Sequence, residues 1–160
     1  MKHNIKKWLK GWMLVLLVIG IVSCGKDSGT NPEEESPGMS AKVDGKSWTA
    51  AATNATYISN VLVITGSAQD GSNITLSLMN VNGPGSFDII GPDPANMNTA
   101  TYTVNFTPYT ATKEKDGICK IEKLTDSEVK GTFSFKATSD NNASDVIEIT
   151  EGKFLIQFKK

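Results

Sequence analysis

Apolar residues recur at every second position through most of the chain beyond residue 40. Ile74, Leu76 and Leu78 alternate with Thr75 and Ser77. Tyr102, Val104 and Phe106 repeat the period. Val129, Gly131, Phe133, Phe135 and Ala137 carry it furthest, with Thr132, Ser134 and Lys136 between them. Ile147 with Ile149, and Phe154 with Ile156 and Phe158, extend it to the C-terminus. Successive side chains of a strand point to opposite faces, so this period predicts strands with one buried and one wet face. Val61 to Ile64 is a continuous apolar run and reads as a central strand covered on both sides. No stretch of about ten residues holds a helical period.

Turn residues punctuate these segments: Asp44-Gly45, Ser59-Asn60, Asp70-Gly71, Gly83-Pro84-Gly85, Asp116-Gly117, Asn141-Asn142 and Glu151-Gly152. Glycine takes the positive φ that tight turns require, so hairpins are expected at Asp44-Gly45, Asp70-Gly71 and Glu151-Gly152. Pro92 and Pro94 keep residues 91–99 out of any central strand and make them a surface loop. Thr107 to Gly117 reads as a second loop. The expectation is an all-β domain over residues 40–160, a single antiparallel β-sandwich or flattened barrel of about eight or nine strands. Its core is expected to be built from Phe87, Phe106, Phe133, Phe135 and Phe154 with the Ile, Leu and Val set.

The first 23 residues differ in kind. Lys2, Lys6, Lys7 and Lys10 precede an uncharged 11-residue stretch from Trp12 to Val22, and Ser23 follows. A basic start, a short apolar run and a small residue are the parts of a secretory signal peptide. The run is shorter than the roughly 20 residues of a membrane span. Ile21-Val22-Ser23-Cys24 resembles a bacterial lipobox. The resemblance implies acyl chains on the Cys24 sulfur and a new N-terminus there. An ordinary signal peptide with a coincidental cysteine, or a short uncleaved anchor, are the alternatives. Residues 24–39 are rich in Gly, Ser, Pro and Glu and read as a flexible tether.

Charge sharpens the picture. Twelve of the sixteen lysines and all seventeen acids lie after residue 23, leaving that portion at −5. That balance disfavours nucleic acid as a partner. The chain has no arginine, and its single histidine is His3. The portion after Cys24 therefore has no imidazole for a Ser-His-Asp or Cys-His device and no histidine for a zinc or copper site. Cys119 is the one thiol left beside Cys24, and between Ile118 and Lys120 it reads as a small core residue.

Lys42-Val43-Asp44-Gly45-Lys46-Ser47-Trp48, Gly131-Thr132-Phe133-Ser134-Phe135 and Glu151-Gly152-Lys153-Phe154 together resemble a family of Bacteroidota lipoproteins of unknown function, over about residues 39–159. The resemblance implies an antiparallel β-fold on a lipid anchor and transfers no catalytic residue. Trp48 is expected to pack at a sheet edge or end.

Candidate chemistry is sparse. Asp140, Asn142 and Asp145 offer oxygen donors of the kind calcium takes, but without EF-hand spacing, and a polar hairpin loop accounts for them. Asp88 and Asp93 flank Ile89-Ile90-Gly91-Pro92; paired carboxylates can hydrolyse glycosides across a cleft, whereas turn aspartates are common. Trp48, Tyr57, Tyr102 and Tyr109 could stack on a sugar, or could simply pack the sheet, with Tyr109 the exposed loop candidate. No cofactor is expected. The sequence thus predicts a non-enzymatic outer-membrane lipoprotein, periplasmic or surface-exposed. It would hold the membrane through Cys24 and serve as a binding, adhesion or accessory module toward a protein or glycan. The alternative is a glycan-binding surface lipoprotein of a polysaccharide uptake system.

Overall fold

The computed structural model describes residues 36–91, 97–111 and 117–159. Among these, eleven strands and no helix form. They are β1 (Gly38–Val43), β2 (Lys46–Thr49), β3 (Ala52–Ile58), β4 (Val61–Ser67), β5 (Asn73–Leu78) and β6 (Gly85–Ile89). The rest are β7 (Thr99–Val104), β8 (Thr107–Ala111), β9 (Gly117–Leu124), β10 (Glu128–Ser139) and β11 (Asn142–Gln157). All ladders are antiparallel.

Nine strands run β2-β1-β11-β10-β8-β7-β5-β4-β3 and curl into a half-barrel. β10 is long enough to branch the sheet. Its residues 137–139 pair with β8, while residues 129–134 pair with β9, which carries β6 on its far side. The all-β antiparallel expectation is met, with two or three more strands than anticipated.

Period two decides which face is inside. Leu62, Ile64, Ile74, Leu76, Leu78, Ala100, Tyr102, Phe133, Phe135, Ile149, Phe154 and Ile156 line the concave face and are buried. Phe133 stacks between Phe135 and Phe154, with ring centroids 6.3 and 6.2 Å away. In β4 only alternate residues are fully buried, so Val61 to Ile64 is not covered on both sides as the apolar run suggested. Val61 and Val63 stand on the outer face and are half-buried there.

Three two-residue loops make tight hairpins with both residues at positive φ: Asp44-Gly45, Ser59-Asn60 and Asn105-Phe106. That is the requirement of the type I′ turn, whose twist matches that of the strands. The last of these overturns two expectations. Thr107 to Ala111 is a strand, not a loop, and Phe106 is fully exposed at a turn tip instead of in the core. The alternation through Tyr102 and Val104 ends one residue early, because the chain reverses at Asn105. Residues 112–116, the remainder of the expected loop before Gly117, lie outside the described residues. So do residues 92–96 of the proline loop; Met97 and Asn98 carry no strand, and Thr99 opens β7. β1 begins at Gly38, inside the segment expected as tether.

Glu151-Gly152 is not a hairpin. It lies inside the 16-residue β11, and the hairpin joining β10 to β11 turns at Asp140-Asn141. Between Phe133↔Gly152 and Phe135↔Ile149 the register slips by one, and it slips again against β1 between Ser40↔Lys153 and Lys42↔Thr150. This is a β-bulge with Glu151 at φ +51°. A bulge and a turn demand the same positive φ, so the dipeptide cannot tell them apart. Lys42 closes across the bulge onto Glu151 at 2.7 Å, an exposed pair that contributes little.

Gly131 faces inward in β10 where its neighbours crowd. A Cβ there would strike the Lys120 carbonyl oxygen and lie 2.7 Å from the Phe154 ring. Gly131→Ala is therefore expected to cost about 1–3 kcal/mol or more through overpacking. Urea unfolding should show a lowered midpoint; a midpoint equal to wild type would mean that β9 and β10 are not held this closely.

Candidate functional site

Asp44, Phe106, Tyr109, Asp140 and Asp145 come from three hairpins that adjoin at one rim of the curl. Register carries them there. Ser139 pairs with Tyr109, Asp140 N–H donates to the Pro108 carbonyl at 3.1 Å, and Tyr102 pairs with Tyr109. Asp44 joins the rim through β11. Its N–H donates to the Glu148 carbonyl at 2.9 Å, and its Oδ1 accepts from Glu148 N–H at 2.8 Å.

Tyr109 is a half-buried strand residue, not the exposed loop residue its sequence context suggested. Its hydroxyl donates to Asp145 Oδ2 at 2.8 Å, and its ring is tilted 46° to that of Tyr102 at 6.3 Å. The hydrogen bond to Asp145 raises the phenol above its ordinary value, with desolvation and the carboxylate charges of Asp145 and Asp44 adding to it. Asn142 Oδ1 accepts from Ser144 N–H at 3.0 Å, and Asn141 N–H donates to Ser139 Oγ at 3.3 Å. Asp140, Asn142 and Asp145 thus build a polar hairpin. Among the described residues no group of three or more His, Cys, Asp or Glu side chains stands close enough to hold a metal ion.

The aromatic candidates do not converge. Trp48 is buried, and its indole N–H donates to Ser72 Oγ at 2.8 Å. Tyr57 lies at the opposite end of the β4–β5–β7 ladders from Tyr109. Its hydroxyl donates to the Val81 carbonyl at 2.6 Å. Neither presents a free ring face beside Tyr109. The residue missed from sequence is Phe106, whose ring stands clear of the sheet at 101% exposure. The signal was available: Asn105 is a residue that tolerates positive φ, and it sits where two alternating segments meet.

Asp88 lies on β6, where its carbonyl accepts from Asn98 Nδ2 at 3.2 Å; Asp93 lies outside the described residues. Asn98 also accepts Met79 N–H on Oδ1 at 2.7 Å, so its buried amide ties β7 to the segments after β5 and in β6. A shallow open depression lined by Ser127, Glu128, Gln157, Phe158 and Lys159 lies at the far end of the β10–β11 ladder from the rim.

Cys119 is fully buried in β9, and burial pushes its thiol up to about 12. The thiolate is the nucleophile, so at neutral pH the folded protein holds an inert thiol. Since the folded value exceeds the ordinary one of about 8.5, the folded state is unpenalised below that pH and loses stability as pH rises from there toward 12. Iodoacetamide at pH 8 is expected to leave Cys119 unmodified in the native protein and to alkylate it in urea. Rapid native labelling would contradict the burial.

Fold and site define a class: an all-β domain made of one curled antiparallel sheet, with three hairpins adjoining at one rim. The chain belongs to the family described as domain of unknown function DUF6252, whose model matches residues 35–156. No curated protein and no solved structure matches it.

Proposed function

We propose that this domain is a non-enzymatic binding module held at a bacterial envelope membrane by acyl chains on Cys24, with its contact surface at the rim around Phe106. The observation that carries the binding reading is Phe106 itself. A bulky residue at φ +62° is strained, and a ring at 101% exposure gains nothing from folding. Such a position is explained when the ring is buried by something else. Aromatic residues are enriched at the energetic centres of interfaces. Asp44, Asp140 and Asp145 on the hairpins of the same rim supply hydrogen-bond acceptors.

The membrane reading rests on the sequence of residues 1–24, an outer-membrane address in a Bacteroidota-like organism being its extension. Two or more acyl chains give stable anchoring where one gives only marginal binding. A palmitate analogue fed to cells expressing the full chain should label it, and Cys24→Ser should abolish the label. Unlabelled wild type, or equal label on both, ends the anchor reading. The non-enzymatic reading draws support from the inert thiol of Cys119 and from the absence of histidine after His3.

A glycan is the second reading for the ligand. Tyr109 with Asp145 favours it, since the half-buried ring at the rim can match sugar C–H surfaces and a carboxylate accepts from sugar hydroxyls. A glycan array should then show binding by wild type that Phe106→Ser and Tyr109→Ala both weaken. No binder on the array would leave a protein partner as the reading.

A further inference from the structure

Among the described residues β3 ends the nine-strand path and forms a ladder with β4 alone; β1 and β11 come near it without pairing, and it carries no charge, no proline and no bulge. Proteins blunt free edges with short strands, charges, prolines or bulges, because an open row of backbone groups recruits another strand. The other terminal strands obey this. β2 has four residues and Lys46; β6 has five, follows Pro84 and carries Asp88. β3 runs seven residues, Ala52-Thr53-Asn54-Ala55-Thr56-Tyr57-Ile58, with no charge and no proline, and its register with β4 is unbroken. The charge-free zone extends behind it: between Lys46 and Asp88, Asp70 is the only charged residue.

From this we propose that β3 pairs antiparallel with β3 of a second copy, joining two sheets edge to edge about a two-fold axis at Ala55. The strand is complementary to itself in that register. Ala55 meets Ala55, Thr53 meets Tyr57 on the concave side, Asn54 meets Thr56 and Ala52 meets Ile58 on the outer side. Residues 53, 55 and 57 are the more buried set and residues 52, 54, 56 and 58 the exposed set, so each face continues as the same face across the join. Ile58, 66% exposed in one copy, gains a neighbour. Thr–aromatic and apolar cross-strand pairs stabilise a ladder, and no like charges stand opposite one another. A two-fold interface uses the same patch on both copies, so it closes at a dimer.

The test is sedimentation velocity on the purified full chain in detergent over a hundredfold concentration range. A monomer–dimer equilibrium is expected. Asn54→Lys with Thr56→Lys places four lysines across the join and should weaken it by about tenfold or more, with circular dichroism and Tm unchanged because both side chains are exposed. Register is read separately by oxidising a mixture of Asn54→Cys and Thr56→Cys chains. The mixture should cross-link faster than either alone, and the wild-type chain, with its own Cys24 and Cys119, sets the background. A monomer at every concentration overturns the proposal. So does a dimer that the double lysine variant leaves intact, or equal cross-linking in all three samples.

Discussion

Trp48→Ala is expected to lower stability by about 3–5 kcal/mol, enough to unfold a large share of molecules in a domain of ordinary stability. Trp48 sits on β2, one end of the nine-strand path, yet its indole is buried against the other limb of the curl. A Cβ on Gly66 in β4 would lie 2.9 Å from the indole ring and 2.7 Å from Met39 Sδ, so the glycine makes the space these side chains fill. The indole N–H donates to Ser72 Oγ at 2.8 Å, and Ser72 Oγ donates onward to Asp70 Oδ1 at 2.6 Å. Ser72 N–H bonds the same carboxylate oxygen at 2.9 Å. These two bonds from Ser72 hold Asp70 below its usual value. Backbone bonds run alongside, from Ala50 N–H to the Met39 carbonyl at 2.9 Å and from Ala51 N–H to the Ser67 carbonyl at 2.8 Å. Trp48→Ala removes the largest wedge of this closure and the indole donor to Ser72 Oγ, which keeps only its bond to Asp70. Trp48→Phe keeps most of the apolar bulk and loses the donor, so it should cost less. Urea melts of the two variants, read by circular dichroism, check the order. If both match wild type, the two limbs of the curl do not depend on Trp48.

Phe133→Ala ranks beside it, at about 3–5 kcal/mol. The ring is 3% exposed between Phe135 and Phe154, over Gly152 in the bulge of β11. A Cβ on Gly152 would lie 2.6 Å from that ring. The bulge and the aromatic stack are therefore one packing unit, and truncating Phe133 leaves a cavity that three strands cannot collapse to fill. Phe133→Leu should recover part of the loss by conserving volume. A thermal melt with Tm within a degree or two of wild type would place Phe133 outside the core.

Neighbours along the chain fixed a good deal. Alternation in β5, β10 and β11 sets which residues face in, because the pleat allows no other arrangement once one face must be dry. Asp44-Gly45 and Asp70-Gly71 turn where local φ preference says they should. The seven-residue run of β3 without a charge is also written in the chain, although its place at the end of a sheet is not. The lack of arginine, and of histidine after His3, is a matter of composition, legible without any fold.

Other features depend on residues distant in sequence. Glu151-Gly152 is a bulge because β1 and β10 continue past it on both sides; the dipeptide supplies only the permitted φ. Phe106 is exposed because the chain reverses at Asn105 and β8 returns along β7, whereas its own alternation with Tyr102 and Val104 points inward. Val61 and Val63 lie outward because β4 turns its alternate residues into the curl and, among the described residues, no second layer of strands covers its other face. Trp48, Tyr57 and Tyr109 could be ranked as one aromatic set only while their places in the sheet were unknown. Register sends one to the closure, one to the far end and one to the rim. Period and turn propensity act over a few residues, so they determine strands and facing; which strands become neighbours, and what their ends bring together, is settled by burial summed over the whole curl.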